Sequence, residues 1–204
     1  MNTWTSRPFA ALSLVPVLVT VLGACDPADM GTTLLAGLTS PQGNAAPAPL
    51  VRAAMMNGNV ALMPPAGYCI DPESLSQSFA LMARCDTMGV AAGSMGAPAG
   101  VLTVSLSRRT PGTPLPTAQD LTAAAGLGAP QNTRRGEASV IFRTTGTAPA
   151  PDLAPLHWRA LAQVDGFVIG AALYGPEGLR AVSEEGAEVL EDMISRTIAQ
   201  TAAG

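Results

Sequence analysis

The stretch His157-Trp-Arg-Ala-Leu-Ala-Gln163, Val164-Asp165-Gly166, Phe167-Val-Ile-Gly-Ala-Ala-Leu-Tyr174 decides the fold. Two apolar-rich segments of strand length flank Asp-Gly, the dipeptide that tolerates the positive φ of a tight hairpin turn. A hairpin here means that strands adjacent in the chain pair antiparallel. Upstream of it, Val101 to Ser107 alternates, with Leu102, Val104 and Leu106 on one face. Phe79 to Cys85 alternates as well, Phe79, Leu81, Ala83 and Cys85 against Ala80, Met82 and Arg84. Ala138 to Thr144 is a further strand. Val60 to Met63 follows the turn signal Asn57-Gly58 and stops at Pro64-Pro65.

Three helices are expected. Asp71 suits an N-cap and Pro72 a first helical position, which predicts a short helix to about Gln77. Thr117 caps a second, to Ala125, stopped by Gly126. The third runs from Gly178 to about Gln200. Leu179, Val182, Ala187, Leu190, Met193, Ile194 and Ile198 form its apolar face, with Glu184, Glu185, Glu188, Glu191 and Asp192 over much of the rest. The expected fold is a single small α+β domain, a mostly antiparallel sheet covered by a C-terminal amphipathic helix. Arg134-Arg135 is expected in a turn.

Residues 1–24 have the layout of a signal peptide. Arg7 supplies a positive start, and Phe9 to Leu22 is apolar over too few residues to span a bilayer as a helix. The segment ends Leu22-Gly23-Ala24-Cys25. Two small residues suit extended entry into a peptidase, and the thiol can take a diacylglyceryl group as a thioether. These four residues resemble the lipobox of bacterial lipoproteins. The resemblance implies cleavage before Cys25, acylation of its sulfur and new amino group, and stable anchoring by two or more acyl chains. Asp26 resembles the inner-membrane retention signal of enteric lipoproteins, which favours the inner over the outer membrane and a domain facing the periplasm. Residues 25–49, rich in Ala, Pro and Gly, are a tether between the lipid and a globular part at 50–204.

Removing the leader leaves Cys69 and Cys85 as the only thiols in the folded part. An exported compartment permits a disulfide between them. A redox pair would show Cys-x-x-Cys, and zinc would need further ligands where the single His is His157.

Composition excludes several functions. The chain of 204 residues has 11 Arg, no Lys and 15 acids, a net charge of -4 that becomes -5 once Arg7 leaves with the leader. A non-specific nucleic-acid binder needs a basic surface. Phosphate loops of the Walker type, Schiff-base enzymes and Ser–Lys hydrolases all need a lysine.

The sequence holds little that resembles a catalytic constellation. Ala92-Gly93-Ser94-Met95-Gly96 is one residue short of Gly-x-Ser-x-Gly, with Ser94 as nucleophile and His157 as base. A lone His is more often a partly exposed polar residue. Met55, Met56, Met63, Met82, Met88 and Met95 cluster in sequence, and thioethers suit Cu(I), but the same residues fill irregular cores. The expectation is a lipid-anchored cell-envelope protein that binds or assembles rather than catalyses. Its partners would be membrane lipid through Cys25 and an envelope protein met by the sheet face or the acidic helix, with no cofactor. A small hydrolase using Ser94 and His157, or a Met-based copper binder, are the alternatives. Pro65-Ala66-Gly67-Tyr68, the Asp165-Gly166 hairpin and the closing helix together resemble the PsbP-like architecture of small exported accessory proteins. That resemblance implies a binding or assembly role and transfers no active-site residue.

Overall fold

The computed structural model describes residues 47–90 and 96–204. The expected leader, Cys25, most of the expected tether, and Ser94 lie outside them. The domain is α+β. Nine strands occur among the described residues: β1 (Ala53–Met55), β2 (Val60–Leu62), β3 (Tyr68–Ile70), β4 (Phe79–Arg84), β5 (Val101–Arg108), β6 (Gln131–Arg135), β7 (Ser139–Thr145), β8 (Leu156–Val164) and β9 (Phe167–Tyr174). The helices are α1 (Ala118–Ala125) and α2 (Glu185–Ala202). Strands β3 to β9 form one antiparallel sheet in the order β3-β4-β5-β9-β8-β7-β6, and β1-β2 is a separate hairpin.

The hairpin at Asp165-Gly166 sits at the centre of this order. Asp165 takes φ 50°, the left-handed region that Asp tolerates, and β8 and β9 pair from Val164↔Phe167 to Trp158↔Leu173. Strand alternation then sorts side chains between two faces. On one face Met82, Leu102, Val104, Trp158, Ala160, Ile169 and Leu173 are buried beneath α2, which contributes Ala187, Leu190, Met193 and Ile194. Met55, Val60 and Leu62 of the β1-β2 hairpin join the same core. The outer edge of β2 is closed by α2. Thr201 Oγ1 accepts the Ala61 amide at 3.1 Å, and buried Thr197 Oγ1 accepts that of Met63 at 3.1 Å.

Helix α2 lies close on the sheet at its start. Trp158 is fully buried and its Nε1–H donates to Ser183 O at 2.6 Å. Gly186 makes this approach possible: a Cβ there would lie 2.4 Å from Trp158 Cδ1 and 2.1 Å from Ala181 O.

Three local expectations are corrected. The helix after Asp71 does not form. Asp71 Oδ1 accepts the Glu73 amide at 3.1 Å, while Ser74 Oγ donates to Asp71 O and accepts the Leu81 amide, both at 2.9 Å. These short-range side-chain bonds hold a turn in place of helix. The long C-terminal helix starts at Glu185, because Ser183 is extended at φ -83° and ψ -173°; Arg180–Val182 is a separate 3₁₀ turn, and Leu179 is exposed. Arg134-Arg135 belongs to β6 rather than a turn. This edge strand lacks apolar alternation and is held from outside: Arg134 pairs with Glu184 at 3.0 Å and Glu191 at 3.1 Å of the α2 segment. Polar edges of this kind also discourage edge-to-edge pairing with other chains.

Cys69 and Cys85 form a disulfide with Cα atoms 4.9 Å apart, and both are buried. It ties β3 to the 3₁₀ turn Cys85–Met88 that follows β4. Among the clustered methionines, Met55 and Met82 are fully buried in the main core and Met56 packs against it; Met95 is outside the described residues. No described helix is long and apolar enough to cross a membrane.

Candidate functional site

The second face of the sheet is covered only in part. Thr117 caps α1 with a reciprocal pair of bonds, its Oγ1 accepting the Asp120 amide and Asp120 Oδ2 accepting the Thr117 amide. Gly126 ends the helix in the left-handed conformation. At eight residues α1 is about 12 Å long. A seven-stranded sheet is roughly 29 Å across. Helix α1 therefore covers only one end, where Ala118 and Leu121 pack on Val140 and Phe142 of β7.

Beside α1 the sheet carries small residues. Thr103 and Ser105 of β5 lie opposite Ala172 and Gly170 of β9. Their hydroxyls turn back to the sheet, Thr103 Oγ1 to Ala172 O at 3.5 Å and Ser105 Oγ to Gly170 O at 3.3 Å. The result is a groove of about 400 Å³. Its floor is β5, β9 and β8. Leu121, Ala124 and Ala125 form one wall with Phe142, and exposed Phe79 also lines the groove. This size falls in the range of small-molecule sites.

Arg159 of β8 brings the charge. Its Nε donates to His157 Nε2 at 3.0 Å, and an Nη2 hydrogen approaches Tyr174 Oη at 3.4 Å. His157 and Tyr174 are buried and stacked, ring centroids 4.5 Å apart. Among the described residues no carboxylate lies within ion-pair distance of Arg159, and no Asp or Glu lines the groove. The guanidinium is thus held in place, with no ion-pair partner among the described residues.

His157 is fully buried, where partial exposure was expected. Pro155 O can only accept, so the Nδ1 that it contacts at 2.8 Å carries the proton. Nε2 is then the acceptor for Arg159. Burial pushes the imidazole below its ordinary value of 6.5; the nearby Arg159 charge pushes the same way, against the Pro155 bond. Both ring nitrogens are engaged, so no lone pair remains for a general base. His157 is a positioning residue for Arg159, and Ser94 cannot be placed against it within the described residues.

The acidic helix is not a bare surface. Glu184 and Glu191 pair with Arg134, Glu185 with Arg180, and Asp192 with Arg196 at 3.7 Å while also accepting the Ala66 amide at 2.8 Å. Asn132 and Arg134 hold the Glu184 carboxyl below the usual carboxylate range. A second depression of about 720 Å³ lies between the first hairpin turn and the C-terminal residues, but its Arg52 and Asp165 carry opposite charges. Sequence reasoning missed Arg159 and the groove. The available signal was the run Thr103, Ser105, Gly170, Ala172, small residues at strand positions where a covered face would carry larger ones.

No family model and no curated protein matches the chain. Among solved structures it is similar to the solution structure of cyanobacterial PsbP (CyanoP) from Synechocystis sp. PCC 6803, at 14% identity and a TM-score of 0.38, covering 78% of this chain and 96% of that one.

Proposed function

We propose that the protein is a non-enzymatic binding module of the cell envelope, held to the membrane by lipid on Cys25, and that the groove beside α1 is its binding site. One observation carries the second half of this reading. A buried His–Tyr stack holds the Arg159 guanidinium, with no carboxylate of the described residues paired to it, at a groove lined otherwise by apolar and small side chains. A preformed apolar cavity with one convergent polar group is the usual form of a small-ligand site. Engagement of both His157 nitrogens argues against catalysis by this cluster. The lipobox-like Leu22-Gly23-Ala24-Cys25 supports the anchor.

Native mass spectrometry of protein released from membranes tests the binding reading. The wild-type chain is expected to carry a non-covalent small-molecule adduct. Ala125→Phe, at an exposed position on the groove wall, should lose it while keeping the fold. Wild-type protein without any adduct, or an adduct indifferent to this substitution, contradicts the reading.

A further inference from the structure

We infer that the ligand of this groove is a small amphiphile with a single carboxylate, which seats on Arg159 while its apolar body lies along the α1 wall. The inference rests on the groove being the binding site and adds the chemical class. Arg159 uses two of its five N–H groups, Nε on His157 and one of Nη2 on Tyr174. Three remain, and none of these nitrogens is a buried donor without a partner. They belong to a planar guanidinium that lines the groove, and such a fork can take a carboxylate through two parallel bonds. The charge count favours a monoanion. One guanidinium stands alone, with no second cation among the lining residues, so a doubly charged phosphate would be half compensated. Phe142, Leu121, Leu161 and Phe79 offer contact for an apolar body. The hydroxyls of Thr103 and Ser105 are turned to Ala172 O and Gly170 O, so the middle of the groove offers few free polar partners.

Decanoate and decan-1-ol, equal in chain length and different in charge, are the probes. They are titrated calorimetrically at neutral pH into the mature chain carrying Cys25→Ser. Decanoate is expected to bind at least about tenfold tighter than the alcohol, as a charge-assisted bond in a half-buried site would give. Arg159→Gln should erase that difference; its amide can still donate to His157 Nε2, so the fold is expected to survive. Ala125→Phe should weaken both probes and serves as the second variant should Arg159→Gln unfold. Equal affinity for acid and alcohol in the wild-type chain overturns the carboxylate assignment and leaves the native adduct to judge the groove. Failure of both probes to bind, or binding that survives Ala125→Phe, overturns it as well.

Discussion

Reducing the Cys69–Cys85 bond should lower stability by about 3 kcal/mol. The two positions are 16 apart in sequence, so the bridge closes a short loop. In the chain-entropy model a loop of roughly 15 residues removes about 3 kcal/mol of freedom from the unfolded chain. The native state gives little of this back on reduction. Tyr68–Ile70 pairs with Met82–Arg84, and Cys85 N donates to Gly67 O at 3.1 Å, backbone bonds that do not depend on the S–S bond. The thiols remain buried and packed, so the loss is chiefly one of unfolded-state constraint. For a domain of this size each kcal/mol moves the melting temperature by about 2–4 °C, which gives a fall of about 6–12 °C. Differential scanning calorimetry of residues 50–204, oxidised and reduced, measures it, with the Cys69→Ala/Cys85→Ala double variant as the non-reducible control. A shift under about 2 °C in both comparisons would refute the reasoning, since the loop entropy would then not be limiting.

Gly186→Ala should destabilise the domain by about 1–3 kcal/mol even though Ala favours an isolated helix by about 1 kcal/mol, because the added Cβ meets Ala181 O and Trp158. Urea unfolding followed by tryptophan fluorescence gives the sign, and a stabilised variant contradicts the packing described. His157 should titrate below 6.5. The unfolded chain binds its proton first, so this contribution to stability is complete above about pH 6.5 and is lost as pH falls towards the folded value. An imidazole signal titrating at or above 6.5 by NMR would contradict the buried neutral ring. Thr117→Ala removes the cap of α1 and should cost about 1 kcal/mol, read as a lower melting temperature. An unchanged midpoint would mean that α1 is held by packing alone.

What was legible in the sequence was set by local chemistry and by period. The Asp165-Gly166 hairpin, the alternation of Leu102, Val104 and Leu106, the Thr117 cap and the apolar stripe Leu190, Met193, Ile194 each act within a few residues, and each appears in place. The misreadings arose where distant partners decide. Strand β6 is polar, and its place is fixed by Arg134 reaching Glu184 and Glu191, some fifty residues on. The helix foreseen after Asp71 lost to bonds that join Ser74 to Leu81 and line the segment up with β4. His157 is surface-like by type, yet the register of β7 against β8 sets it opposite Thr144 on the partly covered face, where Tyr174 stacks on it. The groove is harder still to foresee. It depends on the shortness of α1 relative to the width of the sheet, and neither length alone announces a gap.

The two faces of the sheet have different roles in this account. Helix α2 and the first hairpin fill one with core, and the other holds Arg159 beside open space. An amide chemical-shift map of the isotopically labelled Cys25→Ser chain during titration with decanoate tests that division most directly. Shifts are expected to concentrate on Thr103, Ser105, Gly170, Ala172 and the α1 residues Leu121 to Ala125, together with the Arg159 side-chain Nε–H. Shifts centred on α2 or on β1-β2, with the Arg159 signal unmoved, would contradict the account.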